Sequence, residues 1–314
     1  MNAPKRKIAT WQLRSRALEL GRRTLVMGIV NITPDSFSDG GLCFAPEAAV
    51  AHAMQLLGEG ADLLDLGAES TRPGSRAGGA TGTAMAPAVS AEEEQARLLP
   101  VLEGILRERP HAVVSVDTYK AATARAAVAA GAEIINDVSG LQWDPEMAAA
   151  CSAARRGAGG NPGVVLMHTR GRPEEWRMQR SLEPDAMVAG VRAGLAASLA
   201  AAAAAGILAE AIVLDPGYGF GKRLEENYAL LARQAELLAL GRPLLAGVSR
   251  KSFLGRTLAP LHGGSDAPSN ARETASVAAL VAAILNGASI VRVHSVRPAV
   301  EAASIADAVL DGGL

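Results

Sequence analysis

Asp117, Asn136, Asp215 and Lys251 lie far apart in this 314-residue chain, yet together they could read the edge of a flat heterocycle. The carboxylates accept, the ammonium donates and the amide does both, so paired hydrogen bonds to ring nitrogens become possible. The plainer use of such a set is an ion pair, Asp215 with Lys251. Burying those charges without a ligand is costly, which favours the ligand-reading use. A second set has different chemistry. Arg292 and His294 are two residues apart on a strand-like run and so point to one face. With Asn31 and Arg72 they make a donor-rich, partly cationic pocket suited to phosphate. The glycine-rich DPGYGFGK (Asp215–Lys222) lacks the spacing of a nucleotide phosphate loop. Its glycines let the backbone approach a flat ligand beside Phe220, and Lys222 is expected to face solvent. Ser249 and Ser252 have no histidine partner within their own motif, which argues against a covalent nucleophile. No zinc pattern is present: there is no His-x-x-His, and Cys43 and Cys151 are far apart.

These residues share a position along the chain, each at the end of a short apolar run. The runs predict strands at Thr24–Asn31, Asp62–Gly67, Ala112–Asp117, Glu133–Val138, Gly163–His168, Ala211–Asp215, Pro243–Val248 and Ile290–His294. Helical patterns follow them at Pro46–Glu59, Ala91–Glu108, Tyr119–Gly131, Pro145–Arg156, Pro184–Gly206, Leu224–Leu240, Arg272–Gly287 and Arg297–Leu310. Gly60, Gly131, Gly206, Gly241 and Gly287 read as helix C-caps. Near-continuous apolarity within each strand suits a parallel sheet buried on both faces. Eight βα units at this length suit a single (β/α)8 TIM barrel, α/β in class; a doubly wound open sheet is the rival, because periodicity does not decide closure.

Every predicted strand ends on polar groups: Asn31, then Glu69–Arg72, Asp117, Asn136 with Asp137, His168, Asp215, Ser249–Lys251, and Arg292 with His294. In a parallel barrel those ends converge on one face, where the site belongs. Residues 1–23 read as a polar N-terminal extension and 24–314 as the barrel domain. Arg76–Pro87 (RAGGATGTAMAP) is close to low complexity and reads as a mobile loop.

A hydrophobic content of 49% supports a large core, and a net charge of −1 points to no nucleic acid or anionic membrane as partner. The longest apolar stretches are strand-sized or alanine-rich, and none reads as a bilayer-spanning helix. No apolar signal segment follows the basic Lys5–Lys7, and two distant cysteines fit a reducing cytoplasm.

The segments NITPDSFSDGG, ESTRPGS, SVDT, INDVSG, DPGYGFGK, SRKSFLG and RVH occur in the order seen in dihydropteroate synthases, and the resemblance spans Leu25 to Val300. It implies a pterin-binding TIM barrel that joins 6-hydroxymethyl-7,8-dihydropterin diphosphate to 4-aminobenzoate, releasing pyrophosphate, with Mg²⁺ assisting. Carried over by motif, Asp117, Asn136, Asp215 and Lys251 resemble the pterin pocket, with Phe220 close by. Asn31, Arg72, Arg292 and His294 resemble the diphosphate pocket, Asn31 also as metal ligand. Thr71, Arg72, Pro73 and Ser252 resemble the surroundings of the aminobenzoate. The loops Thr33–Gly41 and Ser70–Ser75 resemble lids, and a homodimer is implied. Two departures stand out. The loop after TRPGS is longer, and the residue after the histidine of RVH is Ser295 where the family usually has Asp, which leaves a partner of His294 missing or replaced. A corrinoid-dependent methyltransferase and a non-catalytic pterin-binding paralogue are the rivals; the first has no need of TPDSFSDGG, STRPGS or SRKS.

Overall fold

The computed structural model describes residues 6–32, 46–69, 89–152 and 160–312. The chain opens with a two-stranded antiparallel hairpin, β1 (Ala9–Gln12) and β2 (Ala17–Leu20). Eight further strands follow among the described residues: β3 (Leu25–Asn31), β4 (Leu63–Gly67), β5 (Val114–Asp117), β6 (Ile134–Asp137), β7 (Gly163–Met167), β8 (Ile212–Asp215), β9 (Leu244–Ala246) and β10 (Ala288–Val293). They pair in parallel in sequence order, and β10 closes on β3. Closure decides for the barrel over the open sheet. The helices are α1 (Pro46–Gly58), α2 (Ala91–Glu108), α3 (Ala121–Ala129), α4 (Met147–Ser152), α5 (Pro184–Ala204), α6 (Leu224–Ala232), α7 (Ser252–Thr257), α8 (Glu273–Leu285) and α9 (Val296–Gly312). The five glycines read as C-caps all adopt positive φ, from 73° to 111°.

Strand parity sorts the apolar residues into two cores. Val26, Val30, Leu64, Leu66, Val116, Ile135, Val164, Leu166 and Leu214 pack outward against the helices. Met27, Leu63, Val113, Ile134, Val165, Val213, Leu245 and Ile290 fill the lower barrel interior. Trp11, Leu13 and Leu20 of the hairpin belong to that inner core. Trp11 Nε1 donates to the Ala211 carbonyl at 2.9 Å, and Ser15 N donates to Glu133 at 2.9 Å. The stretch read as a polar tail is thus in part a plug for the barrel floor. Its three buried apolar residues sit among arginines, and the surface they cover exists only once the barrel has closed.

Two other expectations change. The helix expected over Leu224–Leu240 breaks at Arg233 and continues as a 3-10 helix, Gln234–Leu240. The break places Gln234 in the interior, where it accepts from Tyr218 Oη at 2.7 Å and donates to Ala283 O at 3.0 Å. In addition, α5 is long and apolar enough, by length and composition, to cross a membrane. Much of that apolarity is alanine, and α5 packs as the crossover after β7, burying Met187, Val188, Val191 and Leu195.

Candidate active site

The inner parity that is apolar at the barrel floor turns polar toward the C-terminal ends of the strands. Register puts Asn31, Gly67, Asp117 and Asn136 in one row across β3 to β6, and Met167 beside Asp215 across β7 and β8. Above them opens a cavity of about 560 Å³. Its wall includes Asn31, Asp117, Asn136, Asp215, Phe220, Lys251, Ser252, Arg292 and His294, so the described members of both predicted sets meet in one place. Thr71, Arg72 and Pro73 lie outside the described residues, as do the loops Thr33–Gly41, Ser70–Ser75 and Arg76–Pro87.

Arg292 is where the two sets join. Its Cα pairs with Met27, near the floor, and its long side chain reaches upward. Nε donates to Asp65 Oδ2 at 2.5 Å, and Nη2 donates to Asp117 Oδ2 at 2.8 Å. Asp65 also accepts from Asn136 Nδ2 at 3.1 Å. The predicted diphosphate ligand is therefore bound to the predicted pterin ligand, with the fully buried Asp65 beneath both. Burial opposes the charge of Arg292, but Asp65 and Asp117 outweigh it and raise its pKa. Burial pushes the Asp117 carboxyl up to about 7; Arg292 opposes this, and Asp65 and Glu94 add to it. Asp215 is raised chiefly by burial, with Gly217 N donating to it at 2.7 Å and Lys251 opposing the shift. Lys251 Nζ stands 4.2 Å over the Phe220 ring, a cation–π contact.

Sequence reasoning missed Asp65, whose signal was a lone aspartate at the inward parity of the apolar run LLDLG. It also misplaced several groups. Lys222 is buried, not solvent-facing: Nζ donates to the carbonyls of Gly217 at 2.7 Å and His168 at 3.1 Å, and so pins the glycine loop. Burial pushes its ammonium down to about 7. His168 lies away from the cavity under α5, where a Cβ on Gly194 would come within 2.5 Å of its ring; burial holds its pKa well below the usual range. Asp137 faces away as well and accepts from the backbone N–H groups of Ser139 at 2.8 Å and Leu141 at 2.7 Å. Both miss the cavity for one reason, since each follows an inward-facing residue, Met167 or Asn136, and takes the opposite parity.

Ser249 has a histidine partner after all, from the next strand: its Oγ is 3.0 Å from His294 Nδ1 and accepts from His294 N at 3.3 Å. Its hydroxyl can then donate to Nδ1, which leaves Nε2–H directed elsewhere. Ser295 accepts from Arg250 Nη2 at 2.8 Å, and Arg250 also donates to Glu273. At the root of the loop that follows β4, the cavity residue Glu69 is held by Lys120 and by Tyr119 Oη at 3.2 Å.

Among the described residues no group of three or more His, Cys, Asp or Glu converges as a metal cage. Asn31 offers one neutral oxygen at the cavity wall. That donor set does not suit a metal held by protein alone. It suits Mg²⁺, which commonly takes few protein ligands together with substrate phosphates and water.

The sequence pattern of the pterin binding enzymes matches residues 27–294. A dihydropteroate synthase of Bacillus subtilis is 40% identical over 297 residues, covering 95% of this chain and 92% of its own. The structure of Xanthomonas albilineans dihydropteroate synthase with 4-aminobenzoic acid matches with a TM-score of 0.78 and 42% identity, over 94% of this chain and 97% of that one. Burkholderia cenocepacia dihydropteroate synthase complexed with 7,8-dihydropteroate matches with a TM-score of 0.77 and 41% identity, over 97% and 98%. With the barrel, the polar mouth and these likenesses together, the chain belongs to the dihydropteroate synthases of the pterin-binding enzyme family.

Proposed function

We propose that the cavity binds 6-hydroxymethyl-7,8-dihydropterin diphosphate on its floor and 4-aminobenzoate at its rim, and joins them as 7,8-dihydropteroate. One observation carries the assignment of roles: Arg292 ties the heterocycle-reading set to the anion-binding set through Asp117. A ligand that is a flat heterocycle at one end and a diphosphate at the other matches that junction.

Asp117, Asn136, Asp215 and Lys251 hydrogen-bond the pterin edge, with Phe220 and the glycine loop alongside. Arg292 and His294 draw the diphosphate, with Arg72 joining them. The bond from the pterin methylene carbon to the diphosphate oxygen breaks, and its electron pair leaves with pyrophosphate. The ring delocalises the resulting positive charge, and Asp117 in its carboxylate form stabilises it. The amine nitrogen of 4-aminobenzoate then attacks the methylene carbon, and its proton passes to the released pyrophosphate or to water. Thr71, Pro73 and Ser252 position the amine, and this step needs orientation more than activation. Mg²⁺, when bound beside Asn31, adds positive charge against the departing diphosphate. The family likeness supports a homodimer, and the two distant cysteines suit a reducing cytoplasm.

The test is product formation by the purified chain with pterin diphosphate, 4-aminobenzoate and Mg²⁺, beside Asp117→Ala and Arg292→Ala. Dihydropteroate from the wild type with severe loss in both variants is the expected result. Pterin binding without any product would overturn the reading in favour of a non-catalytic pterin binder.

A further inference from the structure

Trp176 belongs to none of the sets above, yet it forms part of the cavity wall. It lies on the 3-10 helix Pro173–Met178, in the connection from β7 to α5. That helix is fixed at several points. Trp176 Nε1 donates to Gly171 O at 3.2 Å, Arg172 N donates to Glu175 at 2.7 Å, and Gln179 Nε2 donates to Arg170 O at 2.9 Å. Arg170 is in turn paired with the buried Glu226. The half-buried indole meets Phe220 edge to face, with centroids 5.2 Å apart and planes at 81°. It also presses on the glycine loop, since a Cβ on Gly221 would come within 2.9 Å of Trp176 Cδ1. Phe220 is therefore held between the indole and the Lys251 ammonium.

The three side chains come from the connections after β7, β8 and β9, which are neighbours in the barrel. They stand beyond the strand ends, whereas Asp117, Asn136 and Asp215 lie on the strands themselves. A pterin read by those strand residues occupies the floor. The wall built by Trp176, Phe220 and Lys251 then borders the pterin on its inner side and faces the space left for the second aromatic ring on its outer side.

We propose that Trp176 is a specificity-determining residue for the aromatic amine: it fixes the Phe220 ring and bounds the space that the amine's ring can occupy. This inference rests on the synthase reading given above. An edge-to-face aromatic contact is a weak but directional interaction, and a rigid ring held this way selects by shape.

The test compares wild type, Trp176→Phe and Trp176→Ala in steady-state kinetics with both substrates. In Trp176→Ala the KM for 4-aminobenzoate rises roughly 3- to 10-fold, as expected from loss of an aromatic pair. The KM for pterin diphosphate rises less, because the strand residues also hold the pterin, kcat changes little, and Trp176→Phe recovers most of the loss. Ring-substituted 4-aminobenzoates gain in relative kcat/KM. An equal rise in both KM values, or a phenylalanine variant as poor as the alanine one, would overturn the inference. Calorimetric titration of 4-aminobenzoate into each protein with pterin and pyrophosphate present separates the two readings. If the wild type binds but makes no dihydropteroate, the synthase reading falls, and the ratio of affinities still decides the role of Trp176: weaker binding to Trp176→Ala supports it and equal binding sinks it.

Discussion

Replacing Asp65 with asparagine removes a fully buried charge beneath the cavity while keeping the shape of the side chain. Asp65 accepts from Arg292 and stands close enough to Asp117 to hold its carboxyl up, an effect second to burial among those that raise it. Both carboxylates bind one guanidinium, so their charges sit on the order of 5 Å apart; at an effective dielectric constant of about 20 the repulsion is about 3 kcal/mol. The loss of Asp65 also leaves Arg292 to Asp117 alone. Both changes stabilise the Asp117 carboxylate, so its pKa falls from about 7 toward its ordinary 3.8. The acid limb of kcat/KM against pH for the pterin diphosphate should move down by about one unit or more. Stability should fall by about 3 kcal/mol, at the low end for breaking a buried pair because Asp117 remains as partner. For a chain of this length that is about 5 °C in Tm. In the wild type the native Asp117 holds a proton that the unfolded chain has lost, so its stabilising effect is full below about pH 4 and fades as pH rises to about 7. Asp65→Asn should flatten that decline. A pH–rate profile with an unmoved or upward-shifted acid limb would refute the reasoning.

Ser249→Ala should raise the KM for pterin diphosphate about tenfold, the worth of one hydrogen bond of about 1.4 kcal/mol, while the affinity for a pterin lacking diphosphate stays unchanged; equal effects on both ligands would sink the orienting role of Ser249 on His294. Lys222→Met should destabilise the chain by about 3 kcal/mol, since the buried carbonyls of Gly217 and His168 lose their donor. The native lysine, pushed down to about 7, binds fewer protons than the unfolded chain above that pH, so the wild type should gain stability from about pH 7 to about pH 10 and the variant should lack that rise in thermal unfolding. Trp11→Ala should cost about 3–5 kcal/mol in denaturant unfolding while kcat of the folded enzyme stays near wild type; a cost under about 1 kcal/mol would show that the hairpin plug is dispensable.

The amino-acid sequence by itself determined the alternation of elements and the identity of most groups at the cavity. Apolar runs of strand length separated by helical periods leave few architectures open, and glycines at helix ends mark where each unit turns back. Asp117, Asn136, Asp215, Lys251, Arg292 and His294 were legible because an acceptor or a cation at the end of an apolar run has few purposes besides a ligand. Closure of the sheet was decided only in three dimensions, when β10 paired with β3. So were the hairpin plug, whose partner surface comes from eight strands at once, and the parity that admits Asn136 to the cavity and turns Asp137 and His168 away. Asp65 and Trp176 were hidden for the same reason. One is a charge whose partners are 71 and 227 residues distant, and the other is an indole whose neighbour lies on a different connection. Local spacing reports which face a residue presents to its own element; what stands opposite that face is fixed by strand register and barrel closure, which no single segment carries.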